Sequence, residues 1–161
     1  MNAALGLGEL LERLVAAEVR FVVVGGLAVN AWGYVRGTQD VDLVPSPDAE
    51  NLKRLADLLE SLGGRVETAE GRLGPSAIAI FLRAGERTLV ATDLGPVDVL
   101  QGLPQVPRFA DLEADARDVR IGAVSVRVCS LEALIEMKRA SERPRDRDDL
   151  EALEAAHRDD G

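Results

Sequence analysis

Two aspartates one residue apart, Asp40 and Asp42, stand in the run Arg36-Gly37-Thr38-Gln39-Asp40-Val41-Asp42-Leu43. In an extended strand alternate side chains share a face. Asp40 and Asp42 therefore project together, joined by Thr38 and Arg36 if the extension reaches that far back, while Val41 and Leu43 turn into the core. Two short carboxylates about 6–7 Å apart along a strand converge on a cation between or above them. Mg²⁺ takes oxygen ligands, commonly one or two carboxylates plus substrate phosphates. Two such ions can clamp the attacking and leaving oxygens of a phosphoryl displacement. Arg36 is then either a phosphate partner or a structural ion pair for Asp40 or Asp42. Thr38 is either a ligand contact or a hydrogen bond to backbone.

The elements that must position these acids lie just upstream. Arg20 to Val24 reads as a buried strand that runs into Gly25-Gly26. Two glycines let backbone N–H groups approach an anion closely, or they make only a tight turn. Leu27 to Trp32 is a short apolar helix candidate whose N-terminus aims at the same place. Thirteen residues separate Gly26 from Asp40.

A hydrophobic strand, Gly-Gly, about a dozen residues and then Asp-x-Asp resembles the signature of the nucleotidyltransferase superfamily. Gly25-Gly26-Leu27-Ala28, Gly33, Arg36, Thr38 and Asp40-Val41-Asp42-Leu43 are similar to its minimal prokaryotic branch. That branch includes antitoxin-like and abortive-infection-type members. Leu27 stands where a Ser often follows the second glycine, and Trp32 where a His is common. The resemblance implies a third carboxylate on a neighbouring strand, matched by Asp98 in Gly95-Pro96-Val97-Asp98-Val99-Leu100, with Asp93 as the competing candidate. It extends to the tail, from Leu134 to Ala140 and Arg143 to Leu150. It implies that Gly25 and Gly26 position a triphosphate, that Asp40, Asp42 and Asp98 ligate one or two Mg²⁺, and that Arg36, Thr38 and Lys138 face the nucleotide. The implied reaction transfers NMP from an NTP, ATP in the first instance, to a hydroxyl on a small molecule or a partner protein. The other reading is a binding module: the same fold with a relaxed site, acting as the antitoxin-like partner of a toxin.

The remaining pattern is a mixed α/β (α+β) domain spanning 1–161, a mixed sheet flanked by helices with two more helices at the C-terminus. Residues 8 to 18 and the stripe Leu52, Leu55, Leu58, Leu59, Leu62 are helical, the latter opened by Pro47-Asp48 and closed by Gly63-Gly64. Segments 39–44, 65–68, 77–82, 88–92 and 97–100 read as strands. Residues 103–116 are ambiguous. Val119–Ile121 and Val124–Val128 flank Gly122-Ala123 as a hairpin. Ser130 opens a helix to about Ser141, Pro144 ends that region, and 146–157 is the last helix. On the first of these two, Leu131, Leu134, Ile135 and Lys138 share a face. A lysine on an apolar stripe needs a partner, either a phosphate or the carboxylates of Asp146 and Asp149.

Net charge is −9, which disfavours a nucleic-acid acceptor at long range. No apolar run is long enough to span a bilayer, and the N-terminus has no basic stretch of a signal peptide. One cysteine, Cys129, allows no internal disulfide and fits the cytoplasm. One histidine, His157, nearly excludes a His-based triad or a zinc site. The chain has no phosphate-binding Gly-x-x-x-x-Gly-Lys-Ser/Thr loop and no dinucleotide fingerprint.

Overall fold

A computed structural model describes residues 3–34, 37–141 and 143–160. Among them the chain runs α1 (Ala3–Ala16), β1 (Phe21–Val24), α2 (Gly25–Ala31), β2 (Val41–Pro45), α3 (Ala49–Ser61), β3 (Arg65–Thr68), β4 (Gly71–Leu73) and α4 (Ser76–Arg83). It continues through β5 (Thr88–Ala91), β6 (Val97–Val99), α5 (Phe109–Asp115), β7 (Arg117–Ile121), β8 (Val124–Val128), α6 (Leu131–Arg139) and α7 (Pro144–Asp160). The strands form one mixed sheet in the order β4-β3-β5-β6-β2-β1-β8-β7. β2 lies antiparallel to β1 and parallel to β6, and β5 lies antiparallel to β6. The mixed α/β architecture is therefore as the sequence implies.

β1 is buried along its whole length, Val22 and Val23 completely, because helices cover it. α5 packs on it, and α2 packs on β1, β2 and α6, while α1 meets β8 and α3. Asn51 locks the outer ends of the two central strands together. Its side chain accepts from the Arg20 N–H at 2.7 Å and donates to the carbonyls of Arg20 and Ser46, both at 2.9 Å. Asp48 caps α3 by accepting from the Asn51 N–H at 2.9 Å, and Ser46 steadies that carboxylate. Buried polar groups satisfied this way fix β1 against β2 rather than weakening the core.

The structure departs from the sequence expectation in several places. Residues 77–82 belong to a helix, α4, not a strand. Ile78 and Leu82, one turn apart, are fully buried while Ile80 is 64% exposed, a spacing only a helix allows. A short unbroken apolar run does not by itself distinguish the two. β4 is an additional edge strand, its three residues exposed and so without an apolar signal. The 103–116 stretch, ambiguous in the sequence, is within expectation: loop followed by the short helix α5. Pro144 opens α7 rather than ending a segment, the first-turn position where its missing N–H costs nothing. No helix among the described residues is long and apolar enough to cross a membrane.

Candidate active site

The sheet register places two acids face to face. Asp42 of β2 is the direct partner of Asp98 of β6 in parallel pairing, and of Val24 of β1 on the other side. Neighbouring strands lie about 4.8 Å apart, so the two carboxylates rise side by side from one face of the sheet. Val97 and Val99, which flank Asp98, are fully buried on the other face. Asp93, the competing third acid, is not brought there; it is exposed and lies against Gly63.

Gly25 makes room for this pair. It adopts φ +66°, and a Cβ built on it would sit 1.9 Å from Oδ2 of Asp42. The Asp42 carboxylate therefore occupies the space that a side chain at the first residue of α2 would take. Gly26 is buried directly behind it. Gly25→Ala is expected to fail twice: its backbone is strained in the left-handed region, and its methyl displaces the Asp42 carboxylate. A loss of about 1–3 kcal/mol in denaturant unfolding, together with loss of nucleotide binding, is the expected outcome. An active, fully stable variant would show that the close approach has no role.

Crowding shows in the electrostatics. Burial pushes the Asp42 carboxyl up to about 6, with Asp98 and then Asp40 adding repulsion; Lys138 and Arg143 oppose it. Asp40 precedes β2 rather than lying within it, and is half-buried. It is still close enough to be felt by Asp42. Thr38 donates to the carbonyl of Asp40, at 3.4 Å, and so shapes the approach to the strand. Arg36 lies outside the described residues.

Two arginines that the sequence did not single out complete the surroundings. Arg87, just before β5, forks onto Asp98: Nε donates to Oδ1 at 3.0 Å and Nη2 to Oδ2 at 2.7 Å. The hydrogen bond to Asp98 raises its already high pKa, and Asp42 adds to this. Arg143 donates to Asp146 at 2.7 Å and also feels Asp42 and Arg87. Both positions become visible only through three-dimensional register; nothing in Glu86-Arg87-Thr88 marks a site locally.

Lys138 is buried in the carboxylate network that its helical face allowed. Its ammonium lies 2.6 Å from Asp146 and 3.1 Å from Asp149, and all three side chains are at most 7% exposed. Burial would raise Asp146, but hydrogen bonds from Lys138, Ser141 and Arg143 hold it down at about 2. Arg145 reaches back from α7 to the carbonyl of Gly37, at 2.8 Å. The α6–α7 junction is thereby tied to the approach to Asp40. Trp32 packs structurally: its indole N–H donates to the carbonyl of Cys129 at 3.0 Å, and Arg117 lies over its ring. Tyr34 rests against the core. Cys129 is buried, and burial pushes its thiol up to about 12, so it is no nucleophile.

Beside the acids lies an open hollow of about 460 Å³, lined by Asp40, Glu67, Arg72, Leu89, Ala91, Thr92 and Pro96. Leu89 is the register partner of Asp98 on β5, so the hollow borders the acid pair on the same face of the sheet. Its volume suits a small ligand. Among the described residues no three His, Cys, Asp or Glu side chains form a ready-made metal cage. Asp42 and Asp98 nevertheless offer what Mg²⁺ uses when phosphates supply the rest: a hard, oxygen-only pair. Their mutual repulsion is what a divalent cation would relieve.

The family model described as "Nucleotidyl transferase of unknown function (DUF2204)" matches residues 3–160. No curated protein matches the sequence. Among solved structures, the lincosamide antibiotic adenylyltransferase LnuA, lincomycin-bound, aligns with TM-score 0.65 at 16% identity, covering 94% of this chain and 96% of that one. ANT(2")-Ia in complex with adenylyl-2"-tobramycin aligns with TM-score 0.57 at 21% identity, covering 96% and 90%. An antigenic nucleotidyltransferase-like protein from Paracoccidioides brasiliensis aligns with TM-score 0.62 at 20% identity, covering 94% and 74%. At these identities the likeness is one of fold.

Proposed function

The chain belongs to the DUF2204 family of nucleotidyl transferases and is an enzyme of that class; from this premise we propose that it transfers NMP from a Mg²⁺-bound NTP, ATP in the first instance, to a hydroxyl of a small-molecule acceptor. The observation that carries the reading is the in-register placement of Asp42 against Asp98 beside the side-chain-free Gly25. Asp42 and Asp98 hold the cation, with Asp40 adding negative charge at its edge. Bound there, Mg²⁺ supplies Lewis-acid stabilisation of phosphate charge. Gly25 leaves the room that the Asp42 carboxylate takes, and with Gly26 it would position the triphosphate. Asp98 would take the proton of the acceptor hydroxyl as that hydroxyl's oxygen attacks the α-phosphorus and pyrophosphate leaves. Positioning and charge stabilisation supply most of the rate in such a reaction.

The hollow beside Asp40 and Leu89 is the natural seat for the acceptor. LnuA and ANT(2")-Ia, by their descriptions, adenylylate or bind antibiotics, which favours ATP and a small acceptor over a partner protein. We assign the reaction to residues 1–161 acting as one unit in the cytoplasm.

A thermal-shift series with Mg²⁺ and each NTP tests this directly. Ligand at about 100 times its Kd adds roughly 2.7 kcal/mol, several degrees for a protein of this size. Transfer of label from α-labelled NTP to a panel of hydroxylated small molecules then identifies the acceptor. No shift with any NTP would turn the reading to a binding role without nucleotide.

A further inference from the structure

Arg87 spends both arms of its guanidinium on Asp98, yet its side chain is 52% exposed, against 10% for that of Asp98. Its guanidinium is held by those two hydrogen bonds and still faces solvent. Gln101 donates to the carbonyls of Leu82 and Glu86, and Thr88 also donates to that of Glu86. Gly85 turns the chain at φ +71°, and a Cβ on Gly102 would come within 2.7 Å of its carbonyl oxygen. The turn from α4 into β5 is thus pinned on several sides, and the guanidinium reaches from it to the rim of the acid pair. Arg143, another exposed guanidinium that feels Asp42, lies near enough to Arg87 to be repelled by it.

A planar guanidinium fork fits a carboxylate and a phosphate equally well. Resting on Asp98, it neutralises one acid of the pair and competes with any cation for the oxygens of that carboxylate. A triphosphate arriving at the same rim brings new acceptors for the fork and a cation that claims Asp98. We propose that Arg87 is a phosphate clamp parked on Asp98 in the nucleotide-free protein, and that nucleotide entry moves it onto the triphosphate and uncovers Asp98. This rests on the Mg²⁺–NTP reading of the site. Its consequence is a coupling: the free protein discourages a bare cation and accepts the cation together with nucleotide.

The coupling is read by binding, without turnover. Mn²⁺ alone, followed by electron paramagnetic resonance, should bind about tenfold more tightly to Arg87→Ala than to wild type. Mg²⁺ with α,β-methylene-ATP, followed by calorimetry, should bind about tenfold or more weakly to the same variant; both figures correspond to one charge-assisted contact. Arg87→Lys, which keeps the charge without the fork, should fall between for the nucleotide, and Arg83→Ala, on the exposed end of α4, should match wild type in both. Opposite shifts are something a merely structural arginine would not give. If Arg87→Ala and Arg87→Lys weaken both ligands alike, Arg87 only holds Asp98 in place and the clamp is wrong. If wild type binds the analogue and Arg87→Ala changes neither affinity, the clamp is wrong while the nucleotide site stands. If wild type does not bind the analogue at all, both are overturned.

Discussion

Asp42→Asn is expected to lower nucleotidyl transfer by roughly a thousandfold while making the protein more stable. The substitution keeps the size of the side chain and removes the charge on which the proposed Mg²⁺ site depends. It also removes a carboxylate that the fold holds at some cost. Folded Asp42 titrates at about 6 against an ordinary value of 3.8, because burial and the neighbouring Asp98 and Asp40 disfavour its charge. A carboxyl raised in this way binds its proton more tightly when folded. Its effect on stability is therefore absent below about pH 4, grows as pH rises to about 6, and stays constant above that. After allowance for solvent screening at a half-buried group, the penalty is about 1–2 kcal/mol. Asp42→Asn should melt a few degrees above wild type at pH 7.5 and converge with it at pH 4. Melting curves across this range check it, alongside transfer of α-label. Retained activity would remove Asp42 from the cation site, and an unchanged melting temperature would show that the crowding is relieved by other means.

Lys138→Met is expected to have the largest effect on stability. The methionine fills much the same volume but leaves Asp146 and Asp149 facing each other in a buried space without their shared cation. Breaking a buried pair from one side costs about 3–5 kcal/mol, which translates to a drop of roughly 10 °C in Tm. The pH dependence has the opposite sense to that of Asp42. Asp146 is held down at about 2, so its contribution is fully present above pH 4 and is lost as pH falls toward 2. The deficit of the variant should therefore be largest near neutrality and shrink in acid. Because Lys138 lowers the pKa of Asp42, its loss also drives that carboxyl further up and moves the activity profile to higher pH. Chemical denaturation at pH 7 and pH 3 measures the first effect. A variant as stable as wild type, but unable to bind nucleotide, would instead assign Lys138 to the phosphates.

What the sequence made legible follows from how local each signal is. Gly25, Gly26 and Asp42 belong to one strand–helix–strand passage, and alternation alone put Asp98 opposite its flanking valines; the fold then placed it against Asp42. The Lys138–Asp146–Asp149 group could be anticipated because helical spacing set all three on inward faces. Arg87 could not: it reaches Asp98 only because β5 pairs antiparallel with β6 in one register, with Leu89 opposite Asp98. α4 was misread because Ser76–Arg83 is a short apolar run in which the helical period shows only at Ile78, Ile80 and Leu82. Asp40 contributes its charge from outside β2, since the strand begins at Val41, two residues later than the expected 39–44.

The pairing of β2 with β6 has a kinetic meaning as well. These parallel neighbours are distant in the chain, with α3, β3, β4, α4 and β5 between them. Closing so long a loop is among the slower steps of folding. Asp42 and Asp98 meet only when β2 and β6 pair, and a chain short of that point holds two separate acids instead of the facing pair. A ligand that requires both strands recognises the finished protein alone. It slows the escape from the native state without hastening arrival there, so in a cell supplied with nucleotide this enzyme would owe part of its lifetime to its own substrate.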